Sequence, residues 1–426
     1  MRKPLYYLGI WLRNPSLPKH LAFLLKSDQW SKDDLLHYQV QLCKEFLEFV
    51  YNYSPYYKTI FDDYDFKPAE FKDLQELKQL PTFTKTTLIR YNKLIHSNYP
   101  FKRLFPALTS GTTGESLSFF KNEEWDSMNR AAMFRGYSWY GVHPSEKNGY
   151  LWGYNLNPKQ ATKIKWLDRL QNRFRIFSYS NEQIEKFAHN LKGAKYLHGY
   201  SSMIYEVAKL VNKSGLKIKH DLKMIKGTSE KVFDSYQEEV KKAFGLKIIS
   251  EYGSAESGLI AFECPEGNMH IAMEHIIVEE EDGEILVTNL LSRSFPIIRY
   301  RLGDIVELAD KDFKCKCGRA HPVILNIIGR VGIKILGKTQ EFPGRMIYNV
   351  IKNLATDHGI TLNYQARQDI RGVIDLYIEQ NEEDSQLILE KELKKYFKDD
   401  IDFNIQYGKD LHNMEEKLND FITTIG

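Results

Sequence analysis

Cysteine is scarce in this sequence. It occurs four times in 426 residues, which is too few for the disulfide framework of a secreted scaffold. Uninterrupted apolar runs of about 18 residues are missing as well, so no membrane-spanning helix is expected. Neither sign of charge dominates, because 59 Lys and Arg residues face 56 Asp and Glu residues and give a formal net charge of +3. This balance gives no electrostatic reason to expect nucleic acid as the main partner.

The rest of the composition is that of an ordinary globular protein. Hydrophobic residues make up 42% and charged residues 27% of the chain, which excludes the collagen-like and disordered classes. A length of 426 residues predicts two or three domains, since one domain usually takes about 100–200 residues. Because the few cysteines do not suggest disulfides and no leader pattern is evident, we expect the protein to be cytoplasmic.

The first residues combine a basic start with an apolar and aromatic run that extends from Met1 to Leu12. Arg13, Asn14 and Pro15 interrupt this run and no small-residue cleavage site follows, so a signal peptide is not expected. A helix packed on its own domain is the favoured interpretation. Peripheral contact with a membrane surface, or with a partner protein, is the alternative that the Trp and Tyr residues leave open.

Apolar periodicity divides the chain into three predicted parts. Residues 1–80 are predicted to form a helical N-terminal region of a large domain. Residues 81–330 alternate short apolar runs with helical patterns, which is typical of βαβ units and largely parallel sheet. Residues 331–426 carry a smaller α/β pattern. The predicted fold class is therefore α/β with α+β parts, in which a large N-terminal domain with parallel or mixed sheets precedes a small C-terminal α/β domain.

Local signals predict where individual elements begin and end. The segment Thr84–Thr87 can cap a helix, because threonine oxygens accept hydrogen bonds from free amide groups. A short helix is expected over Asp73–Leu80. Within 268–310, Asp282-Gly283 predicts a hairpin turn between antiparallel strands. The last part is predicted to contain helices over 345–356 and 383–397, strands near 361–366, 371–378 and 401–406, and a polar tail.

Hydroxyl groups alternate with glycines in the segment from Thr109 to Gly114. Glycine lets the backbone turn its amides toward a ligand and the hydroxyl groups add neutral donors, so this loop suits phosphate oxygens. It is not a Walker loop, because the Gly-x4-Gly-Lys-Ser/Thr pattern is absent. From these residues alone, a plain turn is an equally good interpretation.

Two acidic residues follow predicted strands further along the chain. Glu256 lies just after the strand that ends with Glu251, Tyr252 and Gly253, and ligand sites in open α/β sheets lie beyond the carboxyl ends of strands. A tyrosine can stack on a base, and a carboxylate can hold Mg²⁺. Asp304 follows a strand and a glycine and can bind ribose hydroxyls with both oxygens. A solvated Glu256 and a turn-forming Asp304 are the structural alternatives.

Taken in this order and at these spacings, the motifs resemble those of the adenylate-forming superfamily, and in particular the phenylacetate–CoA ligase family with its capsular-polysaccharide biosynthesis relatives. The resemblance covers roughly residues 75–425. It implies that the small C-terminal domain is mobile and that Glu256 holds Mg²⁺. It also implies nucleotide binding by the phosphate loop, a Gly-x-x-Glu strand end, the Tyr-Gly segment, the ribose-binding segment and the hinge: Thr109, Ser110, Gly111, Thr112, Thr113, Gly114, Gly227, Thr228, Ser229, Glu230, Glu251, Tyr252, Gly253, Asp304 and Arg330.

The same resemblance implies an ATP-dependent ligase that works in two steps. A small-molecule carboxylate attacks the α-phosphate of ATP and gives an acyl-adenylate and pyrophosphate. Coenzyme A, or an amine or hydroxyl group of a sugar or sugar-lipid, then displaces AMP. Charge builds on the α-phosphate in the first step, so amide donors, Mg²⁺ and a lysine directed at that centre are expected. The capsule-associated relatives imply a role in surface polysaccharide biosynthesis.

The chain departs from the family's pattern at two places, and its match to the catalytic lysine has two possible registers. Glu115 stands where many relatives have lysine after the last glycine of the loop, and Val331-Gly332 stands where an acidic pair is usual. The family's catalytic lysine best matches Lys417, with Lys409 as the competing register and two solvated lysines as the remaining interpretation. These departures leave open a degenerate nucleotide-binding protein with a structural zinc, or a scaffold in a polysaccharide assembly.

Cys264, His270, Cys315 and Cys317 form a further candidate site. Three sulfurs and one imidazole match a closed tetrahedral set for Zn²⁺, and a Cys-x-Cys-Gly turn can direct two thiolates toward one point. Some relatives in the resembled family carry a similar set. His275 could replace His270, and three unrelated reduced cysteines with a surface histidine are the structural alternative.

Several conspicuous residues have plain structural interpretations. Cys43 lies on an apolar helix face and is expected in the core. Arg299 and Arg301 share one face of a predicted strand, where ion pairs would account for them. His198 and Trp152 could line an acyl pocket in the resembled family. A buried histidine with a satisfied hydrogen bond explains His198 equally well, and an aromatic core position is the favoured interpretation of Trp152.

Overall fold

The computed structural model describes residues 2–109, 117–151, 158–176, 181–216, 218–228, 232–330, 334–343, 345–360, 362–381, 385–411 and 421–425. It confirms the α/β fold class, with helices packed on mixed sheets. No helix in these ranges is both long enough and apolar enough to span a bilayer.

Helices dominate the first part of the chain and alternate with strands after it. Two 3-10 helices cover Pro68–Glu70 and Leu74–Gln79. The α-helices are α1 (Arg2–Arg13), α2 (Leu17–Ser27), α3 (Lys32–Tyr53), α4 (Pro55–Asp63), α5 (Lys85–Arg90), α6 (Asn92–Ile95), α7 (Glu123–Trp139), α8 (Pro158–Leu170), α9 (Asn181–Asn190), α10 (Ser201–Ser214), α11 (Asp234–Phe244), α12 (Arg345–His358) and α13 (Gln386–Phe397).

Most strands are short and lie in the second half of the chain. They are β1 (Leu104–Leu108), β2 (Ser118–Asn122), β3 (Asn148–Leu151), β4 (Arg173–Arg175), β5 (Tyr196–Tyr200), β6 (Met224–Thr228), β7 (Ile248–Ser254), β8 (Gly258–Glu263), β9 (Met269–Ile271), β10 (Ile276–Glu281), β11 (Glu284–Asn289), β12 (Ile297–Leu308), β13 (Val323–Arg330), β14 (Lys334–Leu336), β15 (Glu341–Pro343), β16 (Tyr364–Ile370), β17 (Val373–Ile378), β18 (Asp402–Gln406) and β19 (Phe421–Thr423).

The chain packs into two compact units, and each is built from two separate stretches of sequence. The first unit comprises Met1–Ser145 and Ser250–Ile327, and the second comprises Glu146–Ile249 and Ile328–Gly426. The domain boundaries near residues 80 and 330 remain predictions.

Side-chain caps fix several helix starts in the first unit. The Ser31 hydroxyl accepts a hydrogen bond from the Asp34 amide at the start of α3, and Thr84 accepts one from the Thr87 amide at the start of α5. Such caps satisfy amide groups that have no partner within the helix. The predicted cap at Thr84 is therefore confirmed. Cys43 is fully buried on α3, as its apolar helix face predicted.

The sheet of the first unit contains the predicted antiparallel strands. β10 pairs with β11 and β11 with β12, both antiparallel. Asp282 and Gly283 connect β10 to β11 with φ values of 55° and 80°, which matches the turn geometry that an Asp-Gly pair favours. From β12 the order continues through β13, β9 and β8 to β7. β1 and β2 form a separate antiparallel hairpin.

The second unit contains a parallel sheet and a smaller mixed sheet. β6, β5, β3 and β4 are parallel neighbours, and helices α9 to α11 bury their apolar faces with this sheet. In the smaller sheet the order is β18, β17, β16, β19, with α12 and α13 contributing to its core. The tail was predicted to be polar only, but Phe421–Thr423 pairs in parallel with β16. Three residues carry too little periodicity to indicate a strand.

We predict that Phe397→Ala destabilises the second unit. Phe397 is fully buried, and its ring lies 5.1 Å from the Phe342 ring and 5.2 Å from the Phe403 ring, centroid to centroid. A cavity of this kind costs about 3–5 kcal/mol of unfolding free energy. Leu387→Ala on the same helix is the matched control, because Leu387 is 71% exposed and its loss should change stability by less than about 0.5 kcal/mol. Urea unfolding followed by circular dichroism measures both, and equal effects would contradict this description of the core.

Candidate functional site

Two tyrosine–carboxylate contacts join separate parts of the first unit. The Tyr252 hydroxyl donates to Asp304 Oδ2 at 2.8 Å, and the Tyr300 hydroxyl donates to Glu256 Oε1 at 3.3 Å. One partner in each pair comes from β7 or the turn after it, and the other comes from β12. The structure thus brings together Tyr252, Glu256 and Asp304, which the sequence singled out in two separate motifs.

The turn between β7 and β8 positions Glu256. A Cβ atom on Gly253 would lie 2.2 Å from the carbonyl oxygen of Gly258, so only glycine fits this close approach. The Ser254 hydroxyl accepts from the Ser257 amide at 3.0 Å, and the Ser257 carbonyl accepts from Asn289 Nδ2 at 2.6 Å. These contacts fix the turn, and the Glu256 side chain that it presents is 6% exposed.

Two hydrogen bonds join the residues that flank the predicted phosphate loop. The Thr109 amide donates to the Leu117 carbonyl at 3.0 Å, and the Leu117 amide donates to Thr109 Oγ1 at 2.9 Å. Thr109 and Leu117 therefore lie next to each other on either side of the predicted loop. The loop residues between them, including the predicted Ser110, Gly111, Thr112, Thr113 and Gly114 as well as Glu115, lie outside the described residues.

The other predicted nucleotide-binding residues are described only in part. In the second unit, Gly227 lies near the end of β6, where a Cβ atom would meet Ser201 Oγ at 2.4 Å, and Thr228 follows it as the last residue of β6. Glu251 lies on β7, paired with Phe262 of β8. Arg330 is the last residue of β13. Outside the described residues lie Ser229, Glu230, Lys417 and Trp152.

Two further residues, Tyr300 and Lys121, lie close enough to Glu256 to interact with it. Tyr300 alternates with Arg299 and Arg301 along β12, so its side chain faces the other side of the strand. This alternation is the sequence feature from which the orientation of Tyr300 could have been predicted. Lys121 on β2 has its ammonium 5.1 Å from the Trp125 ring centroid. Burial lowers the pKa of Lys121, while the carboxylates of Asp126 and Glu256 act to raise it. No local pattern indicated that Lys121 lies close enough to interact with Glu256.

The two arginines of β12 are held by acidic side chains. Arg299 Nε lies 3.2 Å from Glu279 Oε1, and Arg301 Nη1 lies 2.6 Å from Glu284 Oε2. Ion pairs with acidic side chains therefore explain the presence of both arginines on this strand, as the sequence predicted.

The predicted cysteine–histidine set is assembled in the first unit. The ligand atoms of Cys264, His270, Cys315 and Cys317 all lie within 4.8 Å of one another. Cys264 Sγ is 3.7 Å from Cys315 Sγ, and Cys317 Sγ is 3.1 Å from His270 Nε2. His275, the alternative ligand, is buried but is not part of the set. The structure therefore favours His270.

Surrounding polar groups orient this set for a metal. His270 Nδ1 is 3.0 Å from the His321 carbonyl, so a proton on Nδ1 leaves the Nε2 lone pair directed at the sulfurs. Burial lowers the pKa of His270 to about 4, which keeps the imidazole neutral at pH 7. Asn268 Nδ2 donates to Cys315 Sγ at 3.2 Å. Hydrogen bonds of these kinds are typical around structural metal ligands, so the donor set fits Zn²⁺.

A buried ion cluster lies next to the cysteine–histidine set. Glu274 is completely buried; its Oε1 accepts from Ser27 Oγ at 2.5 Å, lies 2.9 Å from His321 Nε2 and forms an ion pair with Arg135. Burial alone would raise the pKa of Glu274, but Arg135, His321 and these hydrogen bonds outweigh it and hold the pKa well below its ordinary value. Asp28 supplies a second carboxylate, 3.6 Å from Arg135 Nη1.

The chain is similar in sequence to several curated proteins, although no family model matches it. Protein CapK of Staphylococcus aureus is 23% identical over 407 residues, covering 88% of this chain and 86% of that protein. Phenylacetate-coenzyme A ligase of Escherichia coli K12 is 24% identical over 380 residues, covering 81% and 82%. Indoleacetate–lysine synthetase of Pseudomonas savastanoi is 31% identical over 125 residues, which is 28% of this chain and 31% of that protein.

Solved structures show the same fold. The structure of 2-hydroxyisobutyryl-CoA ligase in the postadenylation state superposes with a TM-score of 0.71 at 15% identity, covering 93% of this chain and 91% of that one. The acyl acid amido synthetase AtGH3.15 superposes with a TM-score of 0.59 at 12% identity, covering 91% and 88%. At these identities the likeness shows the fold alone.

We predict that Glu274→Gln lowers the unfolding free energy by about 3–5 kcal/mol at pH 7, because it leaves Arg135 buried without its closest carboxylate. Asp402→Asn is the control, since Asp402 forms a 2.6 Å ion pair with Lys338 at the surface and such pairs contribute about 0–1 kcal/mol. Denaturant unfolding of both variants gives the comparison.

The pH dependence of the same variant is set by the depressed pKa of Glu274. A lowered folded-state pKa gives stability that is fully present above the ordinary value of 4.5 and is lost as pH falls below it toward the folded-state pKa. The difference between the natural chain and Glu274→Gln should therefore narrow below about pH 4.5. A difference that stays constant down to pH 3 would show that the charge of Glu274 is not responsible.

Proposed function

We propose that the chain, which is similar in sequence to CapK and to phenylacetate-coenzyme A ligase, is an adenylate-forming ligase that activates a carboxylic acid as an acyl-adenylate with ATP. One observation carries the proposal. The contacts Tyr252–Asp304 and Tyr300–Glu256 hold in one unit the two carboxylates to which the family resemblance assigns ribose and Mg²⁺ binding.

In the first step, a carboxylate oxygen of the substrate attacks the α-phosphorus of ATP. A phosphorus–oxygen bond forms, the bond to the pyrophosphate oxygen breaks, and pyrophosphate leaves. Tyr252 lines the nucleotide and Asp304 accepts from the ribose hydroxyls. Glu256 is the residue that would hold Mg²⁺, which is commonly bound through one or two carboxylates together with substrate phosphates. Such an ion neutralises charge on the phosphate oxygens.

The roles proposed for the remaining residues come from the family resemblance of the motifs. The family resemblance assigns phosphate binding to the loop from Thr109 to Gly114, whose amides and hydroxyls can donate hydrogen bonds. It assigns adenine binding to the segment from Gly227 to Glu230. The same resemblance assigns Arg330 to the hinge of a C-terminal domain and the catalytic role to Lys417. In this proposal Lys417 stabilises the charge that develops on the α-phosphate in the first step.

In the second step, a nucleophile attacks the acyl carbon and AMP leaves. Coenzyme A and an amine are the acceptors that similar proteins support, since one is named a phenylacetate-coenzyme A ligase and another an indoleacetate–lysine synthetase. A hydroxyl or amine of a sugar or sugar-lipid, used in surface polysaccharide biosynthesis, is the more specific proposal. It comes from the family resemblance of the motifs.

We further propose that Cys264, His270, Cys315 and Cys317 hold a structural Zn²⁺. The support is the convergence of three sulfurs and one imidazole within 4.8 Å, together with the hydrogen bonds that orient them. A closed set of four protein ligands leaves no open position for substrate. The ion would therefore stabilise the loops that carry its ligands and take no part in the reaction.

The adenylation step is tested by pyrophosphate release from ATP across aryl acetates, hydroxy acids, amino acids and short fatty acids. At least one acid should stimulate release, and Lys417→Ala should lower that rate by roughly 10²–10³-fold, the loss typical of one electrostatic contact to a transition state. Lys409→Ala is the matched control and should leave the rate unchanged. The reverse result would assign the catalytic role to Lys409.

Calorimetry with ATP separates the other outcomes of this assay. No release with any acid, but retained ATP binding, would favour the degenerate nucleotide-binding protein that Glu115 and Val331-Gly332 suggest. No release and no ATP binding would overturn the proposed function and leave a scaffold role.

Zinc is tested by elemental analysis of the purified chain. We predict about one zinc per chain, as expected for a single closed site. Cys315→Ser should reduce zinc affinity by more than the roughly 10–100-fold that loss of an outer hydrogen-bond partner costs. Cys43→Ser removes a thiol that lies outside the set and should keep the metal. Equal zinc content in both variants would rule out this site.

A further inference from the structure

An apolar stripe runs along the outer face of α1. Tyr7 is 49% exposed, Leu8 50%, Trp11 63% and Leu12 56%. Positions i, i+1, i+4 and i+5 of a helix lie on one side, so these four side chains form one continuous surface, which we call the α1 stripe. Tyr6 and Ile10 of the same helix are half-buried. The helix therefore packs with one side on its own unit and leaves its more apolar side in solvent.

Contacts within the first unit hold the α1 stripe outward. The Tyr7 hydroxyl bonds to His143 Nε2 at 2.9 Å. The Arg13 guanidinium lies 4.6 Å from the Phe105 ring centroid. Asn14, only 2% exposed, donates to Asp126 at 2.8 Å and closes the C-terminal end of the helix. The exposed orientation is thus built into the packing of this helix.

Charge is distributed unevenly between residues 1–27, which contain α1 and α2, and the rest of the chain. Residues 1–27 contain no Asp or Glu and five basic residues, which leaves 54 basic and 56 acidic residues for the remainder. The basic residues of this region are Arg2, Lys3, Arg13, Lys19 and Lys26.

Part of this positive charge is available at the surface. The Arg13 guanidinium forms an ion pair with the Asp126 carboxylate, with 3.7 Å between Nη2 and Oδ2. Lys19 and Lys26 are exposed on α2, with the 44% exposed Leu25 on the same helix. Among the described residues neither lysine forms an ion pair. A cationic helix therefore follows the apolar stripe directly along the chain.

We propose that α1 and α2 dock the protein on an anionic lipid surface, with the α1 stripe entering the headgroup region and Lys19 and Lys26 contacting acidic headgroups. Trp and Tyr favour the membrane interface because one part of the ring system is apolar and another can hydrogen-bond. Apolar burial and attraction to anionic lipids together determine the affinity of such a helix. The proposal does not depend on the proposed catalytic function.

Vesicle flotation of the full chain tests the docking. The probes are neutral phosphatidylcholine vesicles and vesicles that also contain about 30% phosphatidylglycerol; the protein should float mainly with the anionic ones. Trp11→Ala should lower partitioning by roughly 10-fold or more, the loss expected for one large apolar side chain. Trp166→Ala is the matched control, because Trp166 is 62% exposed outside this region. Leu8→Ala against Leu387→Ala provides a second pair.

The charge contribution is measured separately. Lys19→Gln and Lys26→Gln should each weaken binding to anionic vesicles by about fivefold, and this effect should fade at high salt. Lys72→Gln and Lys93→Gln change the net charge equally at exposed positions elsewhere and should have no such effect.

Three results would overturn the proposal. One is no flotation with anionic vesicles, and another is flotation that Trp11→Ala leaves unchanged. The third is a concentration-dependent dimer, seen by light scattering, that Trp11→Ala dissociates, because a second copy would then cover the stripe. None of these results involves ATP, so failure here and failure of the adenylation assay are distinguishable.

Discussion

The ion pair between Glu274 and Arg135 is the interaction on which much of the first unit depends. Both side chains are almost completely removed from water, and a buried charge is tolerated only where an opposite charge and hydrogen bonds surround it. Ser27 brings α2 to the pair, Arg135 brings α7, and His321 brings the segment whose carbonyl meets His270. The N-terminal helices and the cysteine–histidine set therefore share one electrostatic centre.

The strand β8 connects the turn that carries Glu256 to the cysteine–histidine set. β8 begins two residues after Glu256 and ends immediately before Cys264. Its residues up to Phe262 are buried, and Glu263 accepts a hydrogen bond from the Ser250 amide at 2.7 Å. A buried, paired strand resists local displacement. The positions of Glu256 and Cys264 thus depend on the same strand, which lies between them in the sequence.

Much of the fold and part of the site could be predicted from the sequence. Helix caps such as Thr84 and turns such as Asp282-Gly283 are local, so the chain shows them directly. The family-like motifs assigned Tyr252 and Asp304 to one predicted nucleotide site, but nothing in the sequence indicated that their side chains form a hydrogen bond. The Glu274–Arg135 pair could not be predicted, because 139 residues separate the partners and neither has a distinctive local pattern. The strand at Phe421–Thr423 was missed for a similar reason, since its pairing is entirely long-range.

The interleaved construction of the units has a consequence for synthesis on the ribosome. Arg135 emerges 139 residues before Glu274, which takes roughly 7–28 s at typical elongation rates. Throughout that interval the guanidinium lacks Glu274, its closest carboxylate, although Asp28 has already been synthesised. We therefore expect α7 to reach its final buried position only after Glu274 emerges. The last residue of the first unit, Ile327, arrives later still. We therefore expect the nascent chain to expose apolar helix faces for many seconds, a state that favours binding by chaperones during translation.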